Sequence, residues 1–177
     1  MRIEEGLLRQ AGFTAWGFTK VSQVVFSDEV RKLCAQNACG RYGKSWACPP
    51  GVGTLEECRS KCLAFSKVLV FSAHYPLEDS FDYEGMQAGH RAFQESCAAF
   101  ASLLPKGRRL LLSNEGCGRC KTCTYPDAPC RFPQELSPPV ESYGIRVDLL
   151  AKSAGIPYLN GANTVTYFGA LFFEPEA

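Results

Sequence analysis

The stretch Cys117-Gly118-Arg119-Cys120-Lys121-Thr122-Cys123 sets three thiols at C-x2-C-x2-C spacing, and Cys130 follows after a short gap. Thiols this close along the chain pair with one another only under strain. A turn of this spacing can instead aim three sulfurs at one centre, as three corners of a cubane iron–sulfur cluster require. Four thiolates also suit structural zinc, but zinc ribbons present two separated C-x2-C knuckles, whereas here three thiols crowd one turn. The chemistry expected at Cys117, Cys120, Cys123 and Cys130 is therefore metal ligation, as a [4Fe–4S] cluster with zinc as the alternative. Gly116 and Gly118 permit tight turns and let backbone N–H groups approach sulfur. Arg119, Lys121 and Arg131 put positive charge beside a site of net negative charge. Pro126, Pro129 and Pro133 keep the backbone around the last thiol out of helix.

A second group is less regular: Cys34, Cys39 and Cys48 stand at C-x4-C-x8-C spacing. Gly40 and Gly43 permit turns, Arg41 and Lys44 supply positive charge, and Trp46 can shield a site from water. Pro49 after Cys48 matches the Cys-Pro that closes ferredoxin cluster motifs. Three thiols call for a fourth ligand, and Cys58 is the nearest candidate. Cys58 and Cys62 also share one helical stripe with Leu55 and Phe65, where a buried cysteine behaves as a small hydrophobe. The sequence leaves open whether Cys58 or Cys62 is a ligand. It also leaves open which centre Cys130 serves, since in two-cluster ferredoxins the fourth cysteine of such a run ligates the other cluster.

The elements that must position these thiols follow from pattern. Residues 3–11 are expected to form a short amphipathic helix and 14–18 a strand. Ser27-Asp28-Glu29 caps a helix that carries Val30 and Cys34 into the first cysteine loop, 37–53. Thr54-Leu55-Glu56-Glu57 fits a capping box and opens the next helix. Lys67 to Tyr75 is a nearly continuous apolar run, the pattern of a buried strand. Met86, His90, Phe93, Cys97, Phe100 and Leu104 fall at helical spacing over 83–104, with Gly85 and Gly89 weakening the first turns and Pro105-Lys106-Gly107 ending the helix. A strand at 109–113 runs into the second cysteine loop, 116–139. A helix over 145–154 and a strand over 163–174 complete the chain. The alternation of strands and helices predicts an α/β sandwich with crossover connections: one domain, 1–177, a layered sheet with helices and cysteine loops at about 34–62 and 116–139.

Composition excludes several classes. The chain has 177 residues, 46% apolar and 21% charged, the balance of an ordinary globular domain. A formal net charge of +1 and the lack of a Lys/Arg run give no case for nucleic acid. The start, MRIEEGLLRQAGF, is no secretory signal, and no run approaches the ~18–20 apolar residues of a membrane span. A cytosolic location is expected, and ten cysteines in a reducing compartment read as metal ligands rather than as a disulfide scaffold. Cys97, alone on the inner stripe of 83–104, is expected to be core, and His74 and His90 to be structural. Glu115 and Asp127, the carboxylates nearest the second cysteine group, have no visible partner and read as solvated loop residues, so no acid–base pair can be named. No nucleophile elbow, Walker loop or dinucleotide fingerprint is present.

Two resemblances follow from the motifs. Cys39-Gly40-x-Tyr42-Gly43-Lys44-x-Trp46-x-Cys48-Pro49-Pro50 resembles the hallmark of a family of predicted metal-binding proteins common in anaerobic bacteria and archaea. Cys120-x2-Cys123, Pro129-Cys130-Arg131-Phe132-Pro133 and Tyr143-Gly144-Ile145-x-Val147 are similar to its C-terminal motif. Where members often carry a Pro-Ser-Met-Glu-like run, this chain has Pro138-Pro139-Val140-Glu141. The resemblance implies cysteine-bound metal, iron–sulfur in kind, without specifying a reaction. A shorter set, Gly12-Phe13-x3-Gly17-Phe18, His74-Tyr75, Ala154-Gly155-Ile156 and Gly161-x-Asn163-Thr164, is similar in order to epoxyqueuosine reductase and reductive dehalogenases. That likeness implies an α/β domain holding a corrinoid fed by two clusters, as an analogy of fold. The combined expectation is an iron–sulfur protein with two centres, one on Cys34, Cys39, Cys48 and Cys58 and one on Cys117, Cys120, Cys123 and Cys130. It would act in electron transfer with a redox partner protein. The alternatives are a reductase module that reduces a corrinoid or other organic cofactor, and a structural zinc protein.

Overall fold

The computed structural model describes residues 3–105, 107–114 and 116–175. Its strands β1 (Ala15–Lys20), β2 (Lys67–Pro76), β3 (Arg109–Leu112) and β4 (Thr164–Phe173) form one sheet in the order β1-β2-β4-β3. The apolar run at 67–75 is continuous because β2 is an inner strand. It pairs with β1 on one side (Gly17 opposite Val70) and with β4 on the other (Val70 opposite Ala170). Its side chains alternate between two cores. Val68 and Val70 join Phe168, Ala170, Phe172 and Leu112 on one face, while Leu69, Phe71 and Ala73 join Leu171 and Phe173 on the other. Burying a side chain such as Phe71 or Leu69 fully contributes about 1.5–3 kcal/mol.

The α/β layering agrees with the sequence expectation, and the ladders refine it. All three are antiparallel. Because β2 and β3 both run opposite to β4, they are parallel to each other. The helix between them, α4 below, therefore makes a crossover that passes β4.

Among the described residues there are five α-helices: α1 (Glu5–Gln10), α2 (Asp28–Ala35), α3 (Leu55–Leu63), α4 (Tyr83–Leu103) and α5 (Val147–Ser153). α1 and α4 close one face. Leu8, Phe93, Cys97 and Phe100 pack there with Phe13 and Phe71, whose rings stand 4.3 Å apart. Gly89 sits in α4 because Tyr75 presses against it; a Cβ there would come within 2.9 Å of the tyrosine ring. The other face is closed by the two long connections that carry the cysteines, with Cys58, Cys62, Val140, Tyr143, Ile145 and Leu150 in its core. α5 can lie close to β1 because residue 17 is glycine, where a Cβ would overlap the carbonyl of Ala154.

The caps hold where sequence placed them. Ser27 accepts from the Glu29 N–H at 3.2 Å, and Thr54 and Glu57 form a reciprocal capping box. The helix expected over 145–154 is found as α5, Val147–Ser153; Ile145 instead bridges Phe26, and a short 3-10 turn at Glu141–Tyr143 precedes it. Gly144 in left-handed conformation (φ 71°) breaks that turn before α5 starts. Lys106, expected within the turn after α4, lies outside the described residues. Among the described residues no helix is long and apolar enough to cross a membrane.

Candidate metal centre

The first cysteine loop folds back on itself. After α2 delivers Cys34, the chain turns at Asn37 (φ 56°), whose side-chain oxygen accepts from the Tyr42 N–H at 2.9 Å. Gly43 N–H then donates to Pro49 O at 2.8 Å, and Val52 N–H to Cys48 O at 3.0 Å. These closures bring three thiols into electrostatic reach of one another. Burial raises the Cys34 thiol above its ordinary value, the Glu141 carboxylate and Cys39 raise it further, and Arg31 opposes. Burial pushes the Cys48 thiol up to about 11, with a Ser45 hydrogen bond opposing and Cys39 and Cys34 adding.

Cys58, expected as their fourth partner, is fully buried in the sheet-facing core. Its sulfur lies 3.7 Å from Val52 O and 3.8 Å from Arg31 Nη1. Burial also raises its thiol. Cys62, one turn on, is equally buried, and burial and then Cys58 push its thiol up. Arg31 gave no signal on an amphipathic helix, yet it organises this corner. It donates to Gly53 O and Ser142 O, both at 2.6 Å, while its charge faces Cys34 and Cys58.

The second loop sets the four cysteines expected as ligands around one cleft. Cys117, Cys120, Cys123 and Cys130, all half-buried, line one cleft of about 30 Å3. Gln94 of α4 anchors the loop by donating to Gly116 O at 3.0 Å, and Arg131 ties its two limbs by donating to Thr122 O at 3.0 Å. Arg119 lies over the Phe132 ring at 4.3 Å, at the same cleft, and pairs with Glu135.

The two groups, distant in sequence, are neighbours. Ser45 and Trp46 of the first loop line the cleft of the second. Trp46 Nε1 donates to Ala128 O at 3.0 Å, and its ring meets Tyr125 edge-on at 4.9 Å. Cys48 Sγ is 3.7 Å from where a Cβ on Gly116, the residue before Cys117, would stand.

All ten cysteines are free thiols. Among the described residues, no three Cys, His, Asp or Glu side chains converge closely enough to hold a single metal ion. The donor set of the second cleft is nonetheless the soft thiolate set that zinc and iron–sulfur groups take. The remaining candidates sit apart from this chemistry. Cys97 is 3% exposed in the core under α4, and burial pushes its thiol up. His90 is buried against the Tyr167 ring, and His74 Nδ1 lies 3.1 Å from Thr14 Oγ1. Asp127 is exposed, and Glu115 lies outside the described residues.

A layered sheet that suspends two contiguous cysteine loops from one face defines a cysteine-rich metal-binding domain. The chain belongs to a family of predicted metal-binding proteins (DUF2284), whose match spans residues 18–173. No curated protein and no solved structure matches it, so the similarity in order to epoxyqueuosine reductase and reductive dehalogenases gains no support from these comparisons.

Proposed function

We propose that the protein is a cytoplasmic iron–sulfur protein that passes single electrons between two adjacent cysteine-held centres and a partner protein. The observation that carries this reading is the cleft lined by Cys117, Cys120, Cys123 and Cys130 and closed on one side by Trp46 from the other cysteine loop. A bound [4Fe–4S] group supplies one-electron chemistry there. The chain's own residues hold and tune it. Four thiolates ligate, Arg119 offsets their negative charge, and the Trp46, Phe132 and Leu136 side chains keep water from part of the cleft.

At the first group, Cys34, Cys39 and Cys48 are the proposed ligands, with Cys58 as the fourth. Cys58 would exchange its contact with Val52 O for the metal, and Arg31, facing both Cys34 and Cys58, would balance the charge. Burial raises the Cys34, Cys48 and Cys58 thiols, so ligation there releases protons that the free thiols hold.

The test is iron, zinc, cobalt and acid-labile sulfide per chain, with a visible spectrum, on protein purified without oxygen. About eight irons and eight sulfides support two four-iron clusters. Cys120→Ser should then remove one centre's iron and leave the other's. Colourless protein with zinc and no sulfide overturns the reading in favour of structural zinc, which the same four thiols would suit.

A further inference from the structure

A second cavity lies beyond the end of β3. There the chain leaves the sheet through Ser113, whose N–H donates to Pro138 O at 2.8 Å and whose carbonyl accepts from Val140 N–H at 3.0 Å. The next residue, Asn114, is 5% exposed and lines a pocket of about 360 Å3 with Glu141, Val147, Tyr158, Thr166 and Phe168. Among the described residues, neither Nδ2 nor Oδ1 of Asn114 has a hydrogen-bond partner. A buried carboxamide with both its donor and its acceptor unused is costly, and such groups in native proteins call for an explanation.

The pocket's other features narrow what would answer it. Its volume is at the low end of the ~300–1,000 Å3 of small-molecule sites. Tyr158 stacks on Phe168 (centroids 5.5 Å, planes 23° apart) and is half exposed, so a flat aromatic wall borders the opening. Asn160 and Thr166 fix the rim through an Nδ2–Oγ1 bond of 2.9 Å. Among the described lining residues none is Lys or Arg, and the one charged side chain is the acidic Glu141. A phosphorylated ligand has no counter-charge here.

We propose that this pocket binds an uncharged, planar nitrogen heterocycle of one or two rings through a lactam edge that pairs with Asn114. A lactam offers a carbonyl acceptor beside an N–H donor, the complement of the carboxamide's NH2 and C=O. Asn already reads base edges in this two-bonded way in nucleic-acid recognition. The flat ring lies against Tyr158. The site borders the first cysteine group: Glu141 lines the pocket, and its backbone oxygen is 3.9 Å from Cys34 Sγ. No cysteine lines the pocket, so the assignment stands or falls independently of the metal reading.

The experiment titrates the protein, purified without oxygen, with uracil, hypoxanthine and lumazine by calorimetry and, for lumazine, fluorescence. 1,3-Dimethyllumazine serves as the counter-probe because it keeps the rings and lacks the lactam N–H. The expected result is saturable one-to-one binding of at least one lactam probe. Dimethyllumazine should bind at least tenfold more weakly than lumazine or not at all. Asn114→Leu should weaken binding at least tenfold while leaving the ligand-free thermal midpoint unchanged or higher. Tyr158→Ala, at a half-exposed position, should weaken binding with the midpoint lowered only by the loss of its stack on Phe168, which keeps the test intact should Asn114→Leu fold poorly. Three results overturn the proposal: no lactam probe binding, equal binding of dimethyllumazine and lumazine, or a lower midpoint for Asn114→Leu with unchanged affinity. The last would mean that the amide serves the fold through bound water.

Discussion

Trp46 joins the two cysteine loops by two separable contacts, and their energies can be worked from the geometry. Its indole N–H bonds Ala128 O at 3.0 Å, a neutral hydrogen bond worth about 0.5–1.5 kcal/mol net. Its ring meets Tyr125 edge-on at 4.9 Å, an arrangement worth about 0.5–1.5 kcal/mol beyond the area it buries. Trp46→Leu removes both and keeps an apolar side chain, so unfolding free energy should fall by about 1–3 kcal/mol. With a urea slope of about 1–3 kcal/mol/M, a loss in the middle of that range moves the midpoint by about 1 M. Far-UV circular dichroism in urea reads this without relying on the deleted tryptophan. Combining Trp46→Leu with Tyr125→Leu closes a double-mutant cycle whose coupling should be about 0.5–1.5 kcal/mol. Additivity within about 0.3 kcal/mol would mean that the rings do not support one another. The contiguity of the two cysteine loops would then lose its main prop. Metal retention gives a second readout, because Trp46 lines the cysteine cleft: the variant should surrender metal to a chelator faster than the wild type.

Gly169→Ala would set a Cβ 2.3 Å from Phe71 Cε2 and 3.0 Å from Leu112 O, so overpacking should cost about 1–3 kcal/mol; an unchanged denaturation midpoint would contradict the packing of β4 on Phe71. Cys97→Ala should lower stability by about 1 kcal/mol and leave metal per chain untouched, whereas lost iron would make this core thiol a ligand. Cys58→Ala should deplete metal at the first group only, and full retention would move the fourth ligand to Cys62 or to a group other than cysteine. Asp82 caps α4, and the Gly85 and Glu78 N–H groups hold its carboxyl below the usual carboxylate range. A carboxyl lowered on folding stabilises above its unfolded value, near pH 4, and loses that contribution as pH falls through the folded value. The stability gap between wild type and Asp82→Ala should therefore hold steady from pH 7 to 5 and close below about pH 4; a gap undiminished at pH 2 would refute the capping role.

Much of the scaffold can be read locally. The apolar run at 67–75, the stripe from Met86 to Leu104 and the capping box at Thr54 each carry their own period or hydrogen-bonding chemistry, and each became the expected element. The gathering of Cys117, Cys120, Cys123 and Cys130 on one cleft is also a local matter, since spacing along one loop nearly dictates it. What spacing cannot convey is anything set by contacts across the chain. The antiparallel order β1-β2-β4-β3 depends on which apolar strands meet, and the four runs are interchangeable in hydrophobicity. Arg31 reaches Ser142, over a hundred positions away, from a helix whose sequence looks merely amphipathic. Asn114 is one polar residue after a strand, and only the pocket around it distinguishes it from any loop asparagine. Cys58 shows both sides: its stripe with Leu55 and Phe65 foretold burial, while its proximity to Cys48 in sequence suggested ligation, and one pattern cannot separate the two.

The central ladder pairs Val70 with Ala170, one hundred positions apart, and β1 meets β2 only after the chain has passed through the first cysteine loop. Chains whose contacts are this remote in sequence fold slowly, because the cost of closing long loops is met before the strands reward it. Trp46 reaches the cleft of the second loop only by contacts across the chain, so in the unfolded chain that loop's four cysteines lack this wall. The thiols of the second loop are therefore more open to oxidants in the unfolded chain than in the folded one, where each is half-buried. On the iron–sulfur reading, slow folding lengthens the time during which these thiols need either metal or a reducing environment.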